Sequence, residues 1–362
     1  MRIVVVGAGI NGLLTARELA QANVEIMLCD QGDLAQQASW AGGGIVSPLY
    51  PWRYAPAVTA LSRWAQAAYP NLQRELYDSV GIDSELLTSG LLFVNPDDAR
   101  DAMVWAQANH ARVERVDHAH LRDRWPGLAH DADTGVFFPD IAQIRNPRLL
   151  KALIADLTRH SHVQLRPQTA VIAIAGARGH ASASVTLASG ERIEADAIVV
   201  CAGAWTAKLL ARSALPIRPV RGQMLQYQVA PGSIPSMILR DGHYLIPRQD
   251  GLVLCGSTLE ETGFDDRTTA QAREQLEAVA ATLWPGLTAQ PPVRHWAGLR
   301  PGSPNGIPYI GAVPEQPGVW VNAGQYRNGL VLAPASAALI SDLVLSRQPR
   351  LDPTAYAPLA PD

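Results

Sequence analysis

Three consecutive apolar residues, Val4 to Val6, run into a glycine-rich turn, GAGING, and then into LLTARELA, whose apolar positions recur at helical spacing. A second apolar run, VEIMLCD, closes on Asp30. The pattern predicts strand, turn, helix and strand, the opening of a parallel sheet. A Gly, Ala and Ser-rich loop follows, QASWAGGGIVSP. Helical periodicity then covers 57–79, 97–109, 117–125 with Asp117 as N-cap, and 147 to about 160 behind Pro147. VQLRP, TAVIAIAG and SVTLAS read as strands, the middle ones alternating as a small antiparallel sheet does. The fully apolar AIVVCAGA instead reads as a buried parallel strand ending in a second glycine turn, so the chain has returned to its first sheet. It leaves again through strands near 220–229, 243–248 and 252–256 and a helix over 268–284, and comes back from about 310. The late run GLVLAPASAALISDLVL, broken by Pro334 and Asp342, is too short to span a bilayer and reads as a core helix. The fold class implied is α/β, in two interleaved domains neither of which is contiguous.

Composition narrows the function. A chain of 362 residues, 48% hydrophobic and 17% charged, suffices for about two domains. Its net charge of -3 supplies no basic field for nucleic acid and no polybasic membrane anchor, which leaves a small ligand as the expected partner. Cys29, Cys201 and Cys255 each lie at the apolar end of a strand, with neither CxxC nor Cys/His spacing, which argues for buried reduced thiols in a reducing compartment and against zinc or disulfides. No repeat or low-complexity segment occurs. Arg2 and Ala20-Gln21-Ala22 imitate a secretory signal, but the glycine spacing and the strand that follows oppose that reading.

The chemistry begins at the first turn. Gly7 permits a tight bend, Gly9 lets the backbone approach a pyrophosphate, and Gly12 lets the helix pack close to the strand. Asp30, at the end of the next strand, is placed to accept hydrogen bonds from an adenosine ribose. The spacing therefore predicts a dinucleotide site.

Five further blocks extend the picture: the ASWAGGG loop, VVCAGAW, HYLIPR, HWAGLRPGSPNGIPYIG, and GQYRNGL with the helix after it. With GAGINGLLTARELA they resemble, over nearly the whole chain, the flavin-dependent D-amino acid oxidase family and its bacterial glycine oxidases. The resemblance implies a Rossmann-like FAD-binding domain made of 1–48, 147–212 and 305–362, interleaved with an α+β substrate domain of 49–146 and 213–304 built on an antiparallel sheet. Residue-by-residue matching implies that Ile10, Asn11, Asp30 and Gln31 hold the adenosine diphosphate part of FAD. Ala38, Ser39, Gly42, Gly43 and Gly44 would lie along its middle, and Val171 would meet adenine through its backbone. Gln325, Tyr326, Arg327, Asn328, Gly329, Leu330 and Val331 would wrap the flavin, where consecutive amides and a helix N-terminus can stabilise negative charge at its N1/O2 edge. Sarcosine oxidase relatives attach flavin through a cysteine in the region of 301–308; PGSPNGIP has none, so FAD is expected to be non-covalent.

The same matching implies that Arg300 grips the substrate carboxylate, a task suited to a guanidinium because two parallel hydrogen bonds also fix the neighbouring Cα. Tyr244 would assist it and Arg327 would lie near the substrate. His243 and His295 flank these motifs, yet the family's chemistry needs no side-chain base: the amine binds neutral and hydride passes from Cα to flavin N5. The expected reaction is oxidation of glycine, sarcosine or a small D-amino acid such as D-alanine or D-proline to an imine. Water hydrolyses the imine, and reoxidation by oxygen gives hydrogen peroxide. Glycine-preferring relatives carry a methionine where this chain has Gly44 and another near Leu259, so the pocket is expected to admit larger substrates unless Trp40, Trp52, Arg53 and Tyr54 refill it. The resemblance also implies a cytoplasmic homo-oligomer without integral membrane association, and a part in thiamine synthesis. Competing readings are a D-amino acid dehydrogenase reducing a quinone, a flavin subunit of a larger amine dehydrogenase, and an NAD-dependent dehydrogenase.

Overall fold

A computed structural model describes residues 1–213 and 215–358. Ala214 and residues 359–362, the latter the end of the expected cofactor-domain segment 305–362, lie outside the described residues.

The first sheet has six strands in the order Tyr309–Ala312, Val319–Ala323, Ala197–Val200, Arg2–Val6, Glu25–Cys29 and Val163–Arg166, parallel except for the first pair. Alternation along each strand separates two cores. Ile3, Val5, Ile26 and Leu28 pack against the helices Ile10–Ala20, Pro56–Val80, Asn146–Thr158 and Gly329–Val344. Val4, Val6, Met27 and Cys29 face a three-stranded antiparallel sheet of Val171–Ala175, Ala183–Leu187 and Arg192–Ala195. Burial on both faces explains why the parallel strands read as unbroken apolar runs.

Gly329–Val344 is apolar all round because almost every residue in it is buried. Pro334 removes the amide that would bond to the Leu330 carbonyl one turn earlier. The Tyr69 hydroxyl, from Pro56–Val80, donates to that carbonyl at 2.6 Å instead, so the helix continues.

A second, eight-stranded sheet runs in the order Arg294–Gly302, Arg218–Gln228, Leu252–Gly256, His243–Pro247, Met237–Arg240, Leu91–Val94, Gly135–Phe138 and Glu114–Val116. One face carries Leu225, Leu245 and Cys255 against Leu276 and Ala280 of the helix Ala270–Leu283. The other carries Met224, Tyr244 and Ile246 toward an aromatic cluster that includes Phe93 and Phe138. Asp117 caps its helix as the sequence predicts, its side chain accepting the His120 amide at 3.0 Å.

Several strands escape the sequence pattern, Glu114–Val116 and Arg294–Gly302 among them. LLFV (91–94) and GVFF (135–138) are buried at every position and show no alternation, and MILR (237–240) is too short to show one. The loop QASWAGGGIVSP contains a single helical turn, Ala38–Ala41. All three cysteines are buried and free.

Candidate functional site

The first glycine turn is built as its spacing predicts. Gly7 has φ +99 and donates to the Cys29 carbonyl at 2.8 Å; a Cβ there would lie 2.8 Å from the Cys201 carbonyl carbon. A Cβ on Gly12 would strike the Gly7 carbonyl, so helix and strand touch only because neither residue has a side chain. Gly9 is the N-cap of Ile10–Ala20 and offers no side-chain cap; the Ser39 hydroxyl accepts the Ile10 amide at 2.9 Å. The Leu13 amide donates to the Gly9 carbonyl at 2.9 Å, whereas the Asn11 amide has no intrahelical acceptor, and Asn11 lines a ligand space.

Asp30 does more than await a ribose. Its carboxylate accepts the Ala8 amide at 2.7 Å and the Gly32 amide at 2.9 Å, tying the second strand to the turn. Burial raises its pKa from the ordinary aspartate value, and these two amides oppose the rise. Unused lone pairs remain for a hydroxyl.

A cavity of about 320 Å³ runs from this turn to the second sheet. Gly7, Gly9, Ile10, Asn11, Asp30, Gln31, Ala38, Ser39, Gly42, Gly43, Gly44 and Val171 line it, as do Tyr326, Arg327, Gly329, Leu330, Val331, Tyr244 and Arg300. Of the residues expected from sequence to hold FAD or the substrate carboxylate, only Gly12, Gln325 and Asn328 are outside its lining. Gly12 packs beneath the turn, while Gln325 and Asn328 are buried, Gln325 donating to Asn322 at 2.7 Å. The elongated space, the glycine cradle and the partnerless buried Asn11 Oδ1 fit a dinucleotide such as FAD.

At the far end, Arg300 lies on Arg294–Gly302 above Gly222 of the neighbouring strand. A Cβ on Gly222 would collide with the guanidinium. One terminal nitrogen donates to the Ser257 hydroxyl at 2.7 Å and the other to the Thr258 carbonyl at 3.2 Å, both neutral acceptors. Burial lowers the pKa of Arg300; Tyr244 opposes the shift and Arg327 adds to it. The result is a fixed, desolvated cation with no carboxylate among its hydrogen-bond partners. Tyr244 is buried beside it, and Arg327 donates to the Gly242 carbonyl at 3.4 Å.

His243 and His295 do not line the cavity. Burial is the first cause lowering each pKa; Arg327 adds to it at His243 and Arg273 at His295.

The expected enlargement of the substrate pocket needs correction. Gly44 has φ +85, and a Cβ there would collide with the Ile144 carbonyl, so bulk at this position would enter the protein and not the cavity. Leu259 is 49% exposed and outside the lining. Nor do the nearby aromatic residues refill the space: Trp40 packs on Trp296, Trp52 on Phe93, and Arg53 pairs with Asp98. Ile45, Ser47 and Leu49 form that wall instead.

Sequence reasoning missed Asn146 and Ser257, which line the cavity, and Gly222 and Arg248, which touch lining residues from behind. HYLIPR contains Arg248 at the same two-residue alternation as Tyr244, a usable signal; Gly222 and Ser257 carried none. Among the described residues there is no cluster that could hold a metal and no helix long and apolar enough to cross a membrane.

Comparison with known proteins agrees with this geometry. Residues 2–343 match the family described as FAD dependent oxidoreductase (DAO). The chain is 48% identical over 359 residues to a glycine oxidase of Pseudomonas aeruginosa, covering 99% of this chain and 98% of that one. It is 46% identical to a glycine oxidase of Pseudomonas putida, with the same coverage. The crystal structure of glycine oxidase from Geobacillus kaustophilus superposes with a TM-score of 0.92 at 26% identity, covering 99% of this chain and 98% of the other.

Proposed function

The chain belongs to the FAD-dependent oxidoreductase family of D-amino acid oxidase, and from that premise we propose that it oxidises glycine or another small amino acid, with oxygen as electron acceptor. The observation that carries this reading is Arg300, a desolvated guanidinium held by two neutral acceptors at one end of a cavity whose other end is a dinucleotide turn. A substrate carboxylate supplies the missing counter-charge and is fixed by two parallel bonds. Tyr244 and Arg327 border the same space, as do Ile45, Ser47 and Leu49.

FAD, held without a covalent link by the turn at Gly7–Asn11, by Asp30 and by the Gly42–Gly44 segment, would supply the two-electron acceptor that the substrate needs. The residues of the chain hold the carboxylate, orient Cα and exclude water; none is required as a base, since neither histidine reaches the cavity. The imine formed is hydrolysed by water to an oxo acid. The cofactor unit takes 1–48, 147–212 and 305–362, and the substrate unit 49–146 and 213–304. We place the enzyme in the cytoplasm, as a homo-oligomer, supplying oxidised glycine to thiazole formation in thiamine synthesis.

Anaerobic bleaching of the purified protein with glycine, sarcosine, D-alanine and D-proline, followed by air, tests the proposal. Bleaching and rapid recovery of the oxidised spectrum are expected. Bleaching without recovery would replace oxygen by another acceptor, and no bleaching would remove the substrate assignment.

A further inference from the structure

The segment Gly42 to Gly44 is held in an unusual way. The Asn146 amide donates to the carbonyls of Ser39 and Gly42, each at 3.0 Å. Arg248 donates to the Gly43 carbonyl at 2.8 Å, and the Ile144 amide to the Gly44 carbonyl at 2.8 Å. Every carbonyl from Gly42 to Gly44 is thus taken by a protein donor. The amides of Gly43 and Gly44 have no acceptor among the described residues, although both glycines line the cavity. Buried amides without partners are costly unless a ligand satisfies them.

Arg248 is 7% exposed, and its other acceptors, Gln143 Oε1 at 2.8 Å and the Ile144 carbonyl at 3.1 Å, are also neutral. Burial, with Arg145 nearby, pushes its pKa down to about 10. Its positive charge therefore stands one carbonyl behind the cavity wall, on the same strand face as Tyr244 and Ile246, against which Gly43 packs.

We propose that Arg248 and Asn146 are positioning residues that pin the Gly42–Gly44 carbonyls, so that the amides of Gly43 and Gly44 are aimed at the bound flavin, and that the Arg248 charge favours its reduced form. The inference rests on the FAD reading above. Preorganised donors lose no orientation entropy on binding, and a fixed cation in a poorly hydrated site stabilises charge that develops on reduction.

The test uses apoprotein and reconstituted enzyme of the wild type, Arg248→Lys, Arg248→Met and Asn146→Ala. Affinity for FAD is read by flavin fluorescence and the two-electron reduction potential by equilibration with a reference dye. Arg248→Lys and Asn146→Ala should each weaken FAD binding on the order of tenfold, because a point donor or none replaces the fixed geometry. Arg248→Lys should keep the wild-type potential, while Arg248→Met should lower it; each tenfold loss in preference for the reduced form reads as about 30 mV. Should Arg248→Met not fold, Arg248→Gln removes the same charge and keeps donor and acceptor atoms. General loosening of the fold would weaken binding without separating the lysine variant from the neutral one. Unchanged affinity in both Arg248→Lys and Asn146→Ala overturns the clamp, and equal potentials in wild type and the neutral variant overturn the charge effect. Failure of glycine to bleach the wild type would strike the substrate assignment and leave these two readouts intact.

Discussion

Gly222→Ala isolates the geometry of the carboxylate clamp without touching its chemistry. Gly222 makes no polar contact with substrate; its role is to lack a Cβ where the Arg300 guanidinium lies. An added methyl would sit closer to both terminal nitrogens and to Cζ than the 3.0 Å that real Cβ atoms keep. Restoring ordinary contact, about 3.5 Å, moves the guanidinium by roughly 1 Å. Ser257 and Thr258 hold it from one side, so the movement breaks one bond or swings the fork away from the substrate. A misplacement of that size in a positioning group costs on the order of a hundredfold, or about 2.7 kcal/mol of transition-state stabilisation. The assay is the rate of anaerobic flavin reduction against glycine concentration in a stopped-flow instrument, with the flavin spectrum and melting temperature as controls. A fall of about a hundredfold in the reduction rate over its half-saturation concentration is expected, with FAD content unchanged. Wild-type values for that ratio in a folded, flavin-loaded Gly222→Ala enzyme would refute the placement of Arg300 as the clamp.

Arg300→Ala should keep its flavin and lose nearly all substrate reduction, since the carboxylate then has no bidentate partner; undiminished turnover would remove Arg300 from the mechanism. The double variant His243→Asn, His295→Asn should retain the pH profile of kcat/KM, because neither ring lines the cavity, and disappearance of an acid limb would restore one of them as a base. Burial raises the Glu260 pKa, but hydrogen bonds from Arg221, Thr258 and Gln223 outweigh it and hold the carboxyl below the ordinary glutamate value. Its stabilisation is therefore present above the unfolded pKa and lost as pH falls through the lowered one. The melting temperature of wild type should accordingly exceed that of Glu260→Gln near neutrality, the gap closing on acidification; a gap that widens in acid would contradict the sign.

Much of the cofactor end was legible because its determinants are local. The glycines at 7, 9 and 12 act on a turn and helix within six residues of each other, and the acidic strand end follows directly in the chain. The two-faced burial of the central strands likewise leaves a local signature, an unbroken apolar run. The strands at 91–94 and 135–138 are apolar and buried too, but no glycine turn or other local motif follows them to tell four apolar residues of strand from a buried helical turn.

The substrate end was legible through resemblance at Arg300, Tyr244 and Arg327, and illegible in what supports them. Gly44 shows the limit, since from sequence it looked like space in the pocket, whereas its left-handed backbone directs any side chain into Ile144. Sequence alone determined the glycine turn, the alternation of the small antiparallel sheet, the apolar runs of the central parallel strands, and the residue types able to grip a carboxylate, because those properties reside in short stretches of chain. Only tertiary structure decided that Gly222 makes room for Arg300, that Asn146 and Arg248 pin the glycine loop, and that both histidines stand outside the cavity. Each of those facts is a contact between segments brought together by strand pairing, and no residue carries its distant neighbour's position in its own identity.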